Sequence, residues 1–431
     1  MTDTIAPAAP DVRPEIADPV ALMGPGPLTE AGLVEHIHPL FRRVLARDEI
    51  YLANHSLGRP LDLTAADVQT FTDLWYRDMD EAWPAWMDAM TRFRSLVATL
   101  IGCGTPHAVV PRVNVAQGLR TVLNALPLGR GPGANRPVRV LASRNEFDSV
   151  DFTLKAYAHK GRVELTWVEL DADAFVQPEA YLDEISRAKS PFDLVVISQV
   201  CFSTCQVIDR VDDITRAAQA SGSLVMLDTY HAAGVLPGVF DEVGADFATG
   251  GNYKYTRGGP GAGWLAVHPR HFSRDDLFSL DTGWFAKADT FGFAKKDTPE
   301  FKPGGDGWLE ATPAVLTAYQ ALAGLELVLA LGVGRLRTYS LTQQARFAEL
   351  LAAQGIRIWD HGPRAAFMCI PSDDPVKDVK ALKAAGVNTD GRTVTDGAGR
   401  TRGVIRVCPD TLNTDAELTE AASRIGAALK R

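Results

Sequence analysis

The chain has 431 residues, 46% of them hydrophobic, enough for a sizeable core divided between one large and one or two smaller units. Its formal charge of -9 argues against a nucleic-acid partner. No apolar run approaches the ~20 residues that span a bilayer, and the first ten residues lack the basic start and apolar core of a secretion signal, so a cytoplasmic protein without a membrane partner is expected.

In chain order, residues 1–28 are rich in Pro and Ala with little periodicity and predict an extended or disordered arm. A helical segment follows within residues 29–94, reaching from Asp62, a plausible capping residue, to about Leu100. Trp75, Trp83 and Trp86 lie in it; such residues more often serve a core or an interface than a ligand. Residues 95–330 predict the large domain, an α/β unit with a mostly parallel mixed sheet. Its strand signals are Val138–Ala142, Val163–Val168, Leu194–Ser198, Leu224–Leu227 and Trp264–His268. Residues 331–431 predict a smaller C-terminal α+β domain with a helix around Ala345–Ala353, a strand at Ile356–Trp359 and a last helix at Asp415–Leu429. The active site is expected in the cleft between the two domains.

Five cysteines, at 103, 201, 205, 369 and 408, fit neither a disulfide framework nor a zinc pattern. The pair Cys201 and Cys205 is a lone C-x3-C, so no metal site is expected and buried thiols are the simpler reading.

The chemistry concentrates further along. The apolar run Ser223-Leu-Val-Met-Leu-Asp228 reads as a buried parallel strand that ends in a carboxylate, where α/β sheets collect their ligands. An acid there can keep a pyridine nitrogen protonated, which makes the ring an electron sink. Small residues and glycines lead into Tyr253-Lys254, and Arg257-Gly-Gly-Pro-Gly-Ala-Gly263 then turns the chain back into a strand. Lysine, acid and aromatic hydroxyl together supply the parts needed to hold pyridoxal 5'-phosphate, with Lys254 as the attachment point. Each part also has a plainer reading: a Lys after a Tyr is usually solvated, and a strand-terminal Asp is often a helix cap.

These residues, with Tyr51-Leu-Ala-Asn-His-Ser-Leu-Gly58, Asn145-Glu-Phe147, Ile197-Ser-Gln-Val200, Asp228–His231 followed by Ala-Ala-Gly-Val, Tyr253-Lys-Tyr255, Gly283-Trp284 and Ala311-Thr-Pro313, closely resemble the kynureninases, fold-type-I enzymes of the class V aminotransferase superfamily. The resemblance runs in family order over most of the chain. It implies a homodimeric hydrolase that uses pyridoxal phosphate to cleave the Cβ–Cγ bond of an amino acid substrate, L-kynurenine or a related γ-keto amino acid, leaving alanine and a carboxylic acid. An aminotransferase, a β-eliminating lyase or a cysteine desulfurase of the same fold is the alternative within enzymes, and an inactive scaffold the alternative outside them.

The resemblance also assigns roles. Lys254, Tyr253 and Asp228 are the expected catalytic residues. Phosphate is expected at a helix start around Val115, Ala116 and Gln117, where free amides and the macrodipole favour an anion, although an ordinary helix start reads the same way. Phe147 matches the residue stacked on the cofactor ring; Asp151 matches a family aspartate but with one extra residue between it and Phe147. Ser198 and His231 match cofactor-site residues, and Trp284 and Thr312 match residues that reach the cofactor from a neighbouring subunit. Asn54 and Ser56 are expected at the substrate, with Arg406 offering a two-bond fork to its α-carboxylate. Trp83 or Trp86 could wall the substrate's aromatic end. Two departures fall on the substrate half: Phe-Ala-Lys287 follows Trp284, and Cys205 replaces a family glycine.

Overall fold

The computed structural model describes residues 11–126, 136–274, 276–292, 295–359 and 362–429. Seven strands form the large sheet: β1 (Val109–Arg112), β2 (Val138–Ser143), β3 (Val163–Val168), β4 (Leu194–Ser198), β5 (Leu224–Asp228), β6 (Phe247–Gly251) and β7 (Gly263–Val267). Their spatial order is β1-β7-β6-β5-β4-β2-β3. The five strands from β6 to β3 pair in parallel, while β7 runs antiparallel to both β6 and β1. Every residue of β4, β5, β6 and β7 is buried, which is why these segments read as unbroken apolar runs and not as alternating ones. The in-register partners Ser198, Asp228 and Thr249 bring the carboxyl ends of β4, β5 and β6 side by side.

A second, antiparallel sheet is built from β8 (Met368–Ser372), β9 (Asp390–Thr395) and β10 (Thr401–Val407), with β10 in the middle. Asp390 and Arg406 are direct partners across β9 and β10. Between the sheets in sequence, the helix Val315–Leu331 is apolar almost all round and buried along most of its length, as a central core helix must be. No single described helix is long and apolar enough to cross a membrane.

Four expectations change. The part of the N-terminal arm from Pro14 to Leu22 is a helix whose Ile16 and Val20 are buried against Phe41, Leu61, Ala323 and Leu327. Val12, Ile16 and Val20 recur every four residues, a short apolar stripe that the Pro and Ala content masks. Residues 1–10 of that arm lie outside the described residues. Asp62 does not cap its helix; its carboxylate instead accepts the backbone N–H of Arg43, at 3.1 Å. The helical segment breaks between Asp62–Asp78 and Trp83–Ile101, where Met79 takes a left-handed φ of 51° and Pro84 fits the first turn of the second helix. Ile356–Trp359 joins no sheet ladder: Ile356 and Ile358 pack on the core, and the Trp359 amide donates to the Cys369 carbonyl at 2.7 Å.

Candidate active site

The site grows from the carboxyl ends of β5 and β6. Asp228 closes β5, and its carboxylate accepts the Tyr230 backbone N–H at 2.9 Å, which folds the chain over the sheet edge and sets His231 beside Lys254. Lys254 follows β6 by three residues and is only 4% exposed. Its Nζ lies 2.6 Å from His231 Nε2, and the other ring nitrogen of His231 is 3.2 Å from the Tyr255 hydroxyl. The rings of Phe147, Tyr230 and Tyr253 surround the amine at 5.5–5.6 Å.

Burial dominates the electrostatics. It pushes the Lys254 amine down to about 7, against the attraction of Asp228 and with help from the positive charge of Arg406. Burial likewise raises the Asp228 carboxyl and drives His231 well below its usual range, Lys254 adding to that fall, so the imidazole is neutral at physiological pH. The amine is therefore poised to gain or lose a proton near neutrality, a property of nucleophilic and proton-transferring lysines.

Behind this cluster sits a residue that the sequence places in the Asn145-Glu-Phe147 match without giving it a role. Glu146 is buried; one carboxyl oxygen is 2.6 Å from the Ser198 hydroxyl and the other 3.2 Å from that of Ser143. Burial pushes Glu146 up to about 7, the nearby Asp228 charge adding to the shift. Ser198, expected at the cofactor, thus has Glu146 as its side-chain partner. Phe147 caps the helix Asp148–His159 and meets Phe202 edge-on at 5.4 Å. Asp151, one turn into that helix, pairs with Lys155 at 2.7 Å, the ordinary i,i+4 partner.

The helix start expected near residue 116 exists, as Val115–Leu123, capped by Asn114. The Asn114 side chain accepts the Gln117 backbone N–H at 2.9 Å, so that amide is already committed. The Gln117 side chain turns away to the Val113 amide and Glu310. Val115 packs in the core, and its backbone and that of Ala116 remain as the amide contribution of this turn. Trp284 and Thr312 are brought together, Nε1 donating to the threonine hydroxyl at 3.3 Å. Trp83 meets Phe285 at 6.2 Å and Trp86 edge-on at 5.4 Å, while Trp86 stacks on Phe71 at 5.0 Å.

Arg406 is where the structure departs furthest from expectation. Its Nε donates to Asp390 Oδ1 at 2.7 Å and its Nη2 to Asp390 Oδ2, so the two-bond edge expected to receive a substrate carboxylate is held by a carboxylate of the protein itself. Nη1 donates to the Phe202 carbonyl at 2.5 Å. Asp390 is fixed in turn by His55 Nε2 at 2.8 Å and by the Ser56 hydroxyl. Burial works against the Asp390 charge, but the contacts with His55 and Arg406 outweigh it and hold the carboxyl below the usual range. Of the five N–H donors of the guanidinium, four are engaged by Asp390, the Phe202 carbonyl and, at 3.4 Å, the Ser56 hydroxyl, so an incoming carboxylate can meet both Nη1 and Nη2 only by displacing the long Ser56 contact. Ser56 therefore touches Asp390 and the arginine, and Asn54, 1% exposed, donates to the Cys408 carbonyl at 3.3 Å while its Oδ1 has no partner among the described residues. Cys205, in place of a family glycine, adopts a left-handed φ of 65°, the conformation in which glycine is normally preferred.

The model of the aminotransferase class-V family matches residues 75–391. Among curated relatives, the kynureninase of Deinococcus radiodurans is 29% identical over 318 residues, 71% of this chain and 72% of that protein. The kynureninase of Geobacillus thermodenitrificans is 26% identical over 396 residues, 86% and 87% of the two chains. Among solved structures, cysteine desulfurases from Thermococcus onnurineus and Escherichia coli superpose with TM-scores of 0.75 and 0.77 at 18% and 16% identity. They cover 90% and 94% of this chain and 96% and 99% of their own, and at that identity they speak for the fold alone. A family match that runs from the first of the two long helices, through the whole large sheet with its buried lysine, to the edge strand that carries Asp390 leaves one conclusion: the chain belongs to the aminotransferase class-V family.

Proposed function

We propose that the protein is a kynureninase-like hydrolase, cleaving the Cβ–Cγ bond of L-kynurenine or a related γ-keto amino acid to give alanine and a carboxylic acid. The observation that carries the reading is the buried Lys254, with its amine near neutrality beside Asp228 and Arg406, in a chain whose curated relatives include several kynureninases.

The enzyme's cofactor is pyridoxal 5'-phosphate, and the residues present fit it. Lys254 is an amine that loses its proton easily, Asp228 an acid at a strand end, and the buried Tyr230 hydroxyl and Asn54 Oδ1 are polar atoms without partners among the described residues. When bound, the cofactor supplies an electron sink for charge developing at the substrate Cα. Lys254 Nζ takes the Cα proton and returns it, aided by the neutral His231 imidazole at 2.6 Å. Asp228 would hold a proton on the ring nitrogen, and Phe147 would pack against the ring. Tyr253, whose hydroxyl burial pushes up to about 12, stays protonated and donates to the phosphate or to the product carbon. Arg406 would meet the substrate carboxylate through Nη1 and Nη2 once the long Ser56 contact gives way, its other edge being taken by Asp390.

A homodimer is part of the reading. The exposed Trp75, Tyr76 and Met79 at the helix break, with Phe291 near Trp284, are apolar groups that a second subunit would cover. A cytoplasmic setting accords with five cysteines that are all free and buried. The same burial disfavours desulfurase chemistry, which needs a reachable thiolate; it pushes Cys103 and Cys205 up to about 12.

Product analysis with L-kynurenine and the cofactor-loaded protein tests the proposal. Anthranilate and alanine in equal amounts are the expected result. A keto acid formed only with an amino acceptor, or alanine released only from cysteine, would replace the reading with one of its relatives.

A further inference from the structure

Tyr230 is a residue of the lysine cluster that the mechanism above leaves without a task. It is 6% exposed, and its hydroxyl has no hydrogen-bond partner among the described residues. A buried, unpaired hydroxyl is destabilising, so its retention calls for a partner that arrives later. Space has been cleared for it on the sheet. A Cβ on Gly251 would stand 2.3 Å from the Tyr230 ring and 2.8 Å from its hydroxyl, so the ring packs against the glycine at the end of β6.

The hydroxyl lies near the start of the helix Val115–Leu123. A Cβ on Gly263 would meet the Arg112 carbonyl oxygen at 2.9 Å, the Tyr230 hydroxyl at 3.1 Å and the Asn114 backbone nitrogen at 3.2 Å, so the phenol borders the residues that lead into the capped turn. That turn is short of donors. Val115 and Ala116 bring no hydroxyl, and the Gln117 amide is engaged by Asn114. On the other side, the Tyr230 ring is 5.6 Å from Lys254 Nζ and 5.8 Å from the Tyr253 ring, which places it between the lysine and the helix start.

We propose that the Tyr230 hydroxyl is a ligand of the cofactor's phosphate, replacing the side-chain donor that the helix start lacks. The inference rests on the cofactor assignment above and adds a named donor to it. Burial raises the phenol well above its ordinary range, with Tyr253 and Asp228 adding to the shift, so it stays protonated and donates. A phenol reaching from the β5 end can serve an anion at the helix start only because Gly251 and Gly263 have no side chains.

The test is Tyr230→Phe, which deletes one oxygen and keeps the ring on Gly251. Dissociation constants for pyridoxal phosphate and for pyridoxal are measured by absorbance on the cofactor-free protein, with inorganic phosphate as competitor of the former. Wild type is expected to turn yellow with pyridoxal phosphate. The variant is expected to bind it about tenfold to a hundredfold more weakly, the loss of one hydrogen bond to a charged group. Phosphate should compete correspondingly less well, while pyridoxal binding changes less than about twofold. The cofactor-free variant should unfold at a temperature no lower than wild type, because the oxygen removed had no partner. Equal affinity of variant and wild type for pyridoxal phosphate overturns the inference, as does an equal loss for pyridoxal, which would mean that Tyr230 acts on the ring or on Lys254. A cofactor-free variant that melts well below wild type also overturns it, since the hydroxyl would then have a structural partner. If wild type itself binds no pyridoxal phosphate, the cofactor assignment fails first and the inference with it.

Discussion

Asp390 and Arg406 face each other on neighbouring strands, so the guanidinium is oriented by the sheet before any ligand arrives. Removing the charge at Asp390 leaves a guanidinium that is 3% exposed without its ion-pair partner. Asp390→Asn is expected to cost roughly 3 kcal/mol in chemical unfolding and to raise KM for an amino acid substrate more than it lowers kcat, because Arg406 loses its orientation. An unchanged unfolding midpoint with an unchanged KM would contradict this pairing. At this scale the sequence is informative where residues that act together lie close along the chain. Asp228, His231, Tyr253 and Lys254 fall within the short stretch that runs from the end of β5 to just past β6 and could be read directly as candidates. Glu146 and Asp390 could not: Glu146 meets Ser198 from 52 positions away, and Asp390 meets His55 from 335. The presence of a carboxylate opposite Arg406 could be inferred only from the register of β9 with β10, and no motif encodes that. Tyr230 was readable as a residue in the motif, but that its hydroxyl lacks a partner is a fact of packing.

Among the elements, the buried strand β4 is the most legible, because it is an almost continuous apolar run that matches its expected limits; β3, an edge strand with only Val163 and Val168 buried, also matches its limits. Segments whose structure depends on tertiary contacts are the least so. The helix Pro14–Leu22 is too short to stand alone and is held by what it touches. Just before it, Arg13 reaches two acids, donating to Asp67 at 2.5 and 2.9 Å and to Glu326 at 2.8 Å. Glu326 is fully buried in the central helix, and Arg92 is its other partner. Arg13→Ala should therefore destabilise the protein by roughly 2–3 kcal/mol, short of a full broken pair because Arg92 remains, and should speed proteolysis of the N-terminal segment. A variant as stable as wild type would mean that this helix contributes nothing to the core. Ile356–Trp359 failed as a strand for the opposite reason: its alternation is real and its apolar residues pack inward, but one backbone bond to Cys369 does not make a ladder.

Across the whole molecule, the large sheet brings three carboxyl strand ends together, and the small sheet delivers Arg406 and Asp390 to the same lysine, whose charge both of them feel. The order of residues along the chain was enough to identify the family and to single out Lys254 as the candidate attachment point. It was not enough to show how the arginine's edges are divided, how the helix-start amides are spent, or that the glutamate behind Ser198 is held near neutrality. Those depend on distances between segments far apart in sequence. Everything proposed about the reaction passes through one atom, Lys254 Nζ. The most direct test is borohydride reduction of the protein loaded with pyridoxal phosphate, followed by peptide mass mapping, on wild type and Lys254→Ala. The account predicts a single pyridoxyl group on Lys254, and in the variant retention of the cofactor without covalent attachment and without turnover. A pyridoxyl group on another lysine, or a variant that still turns over, would contradict it.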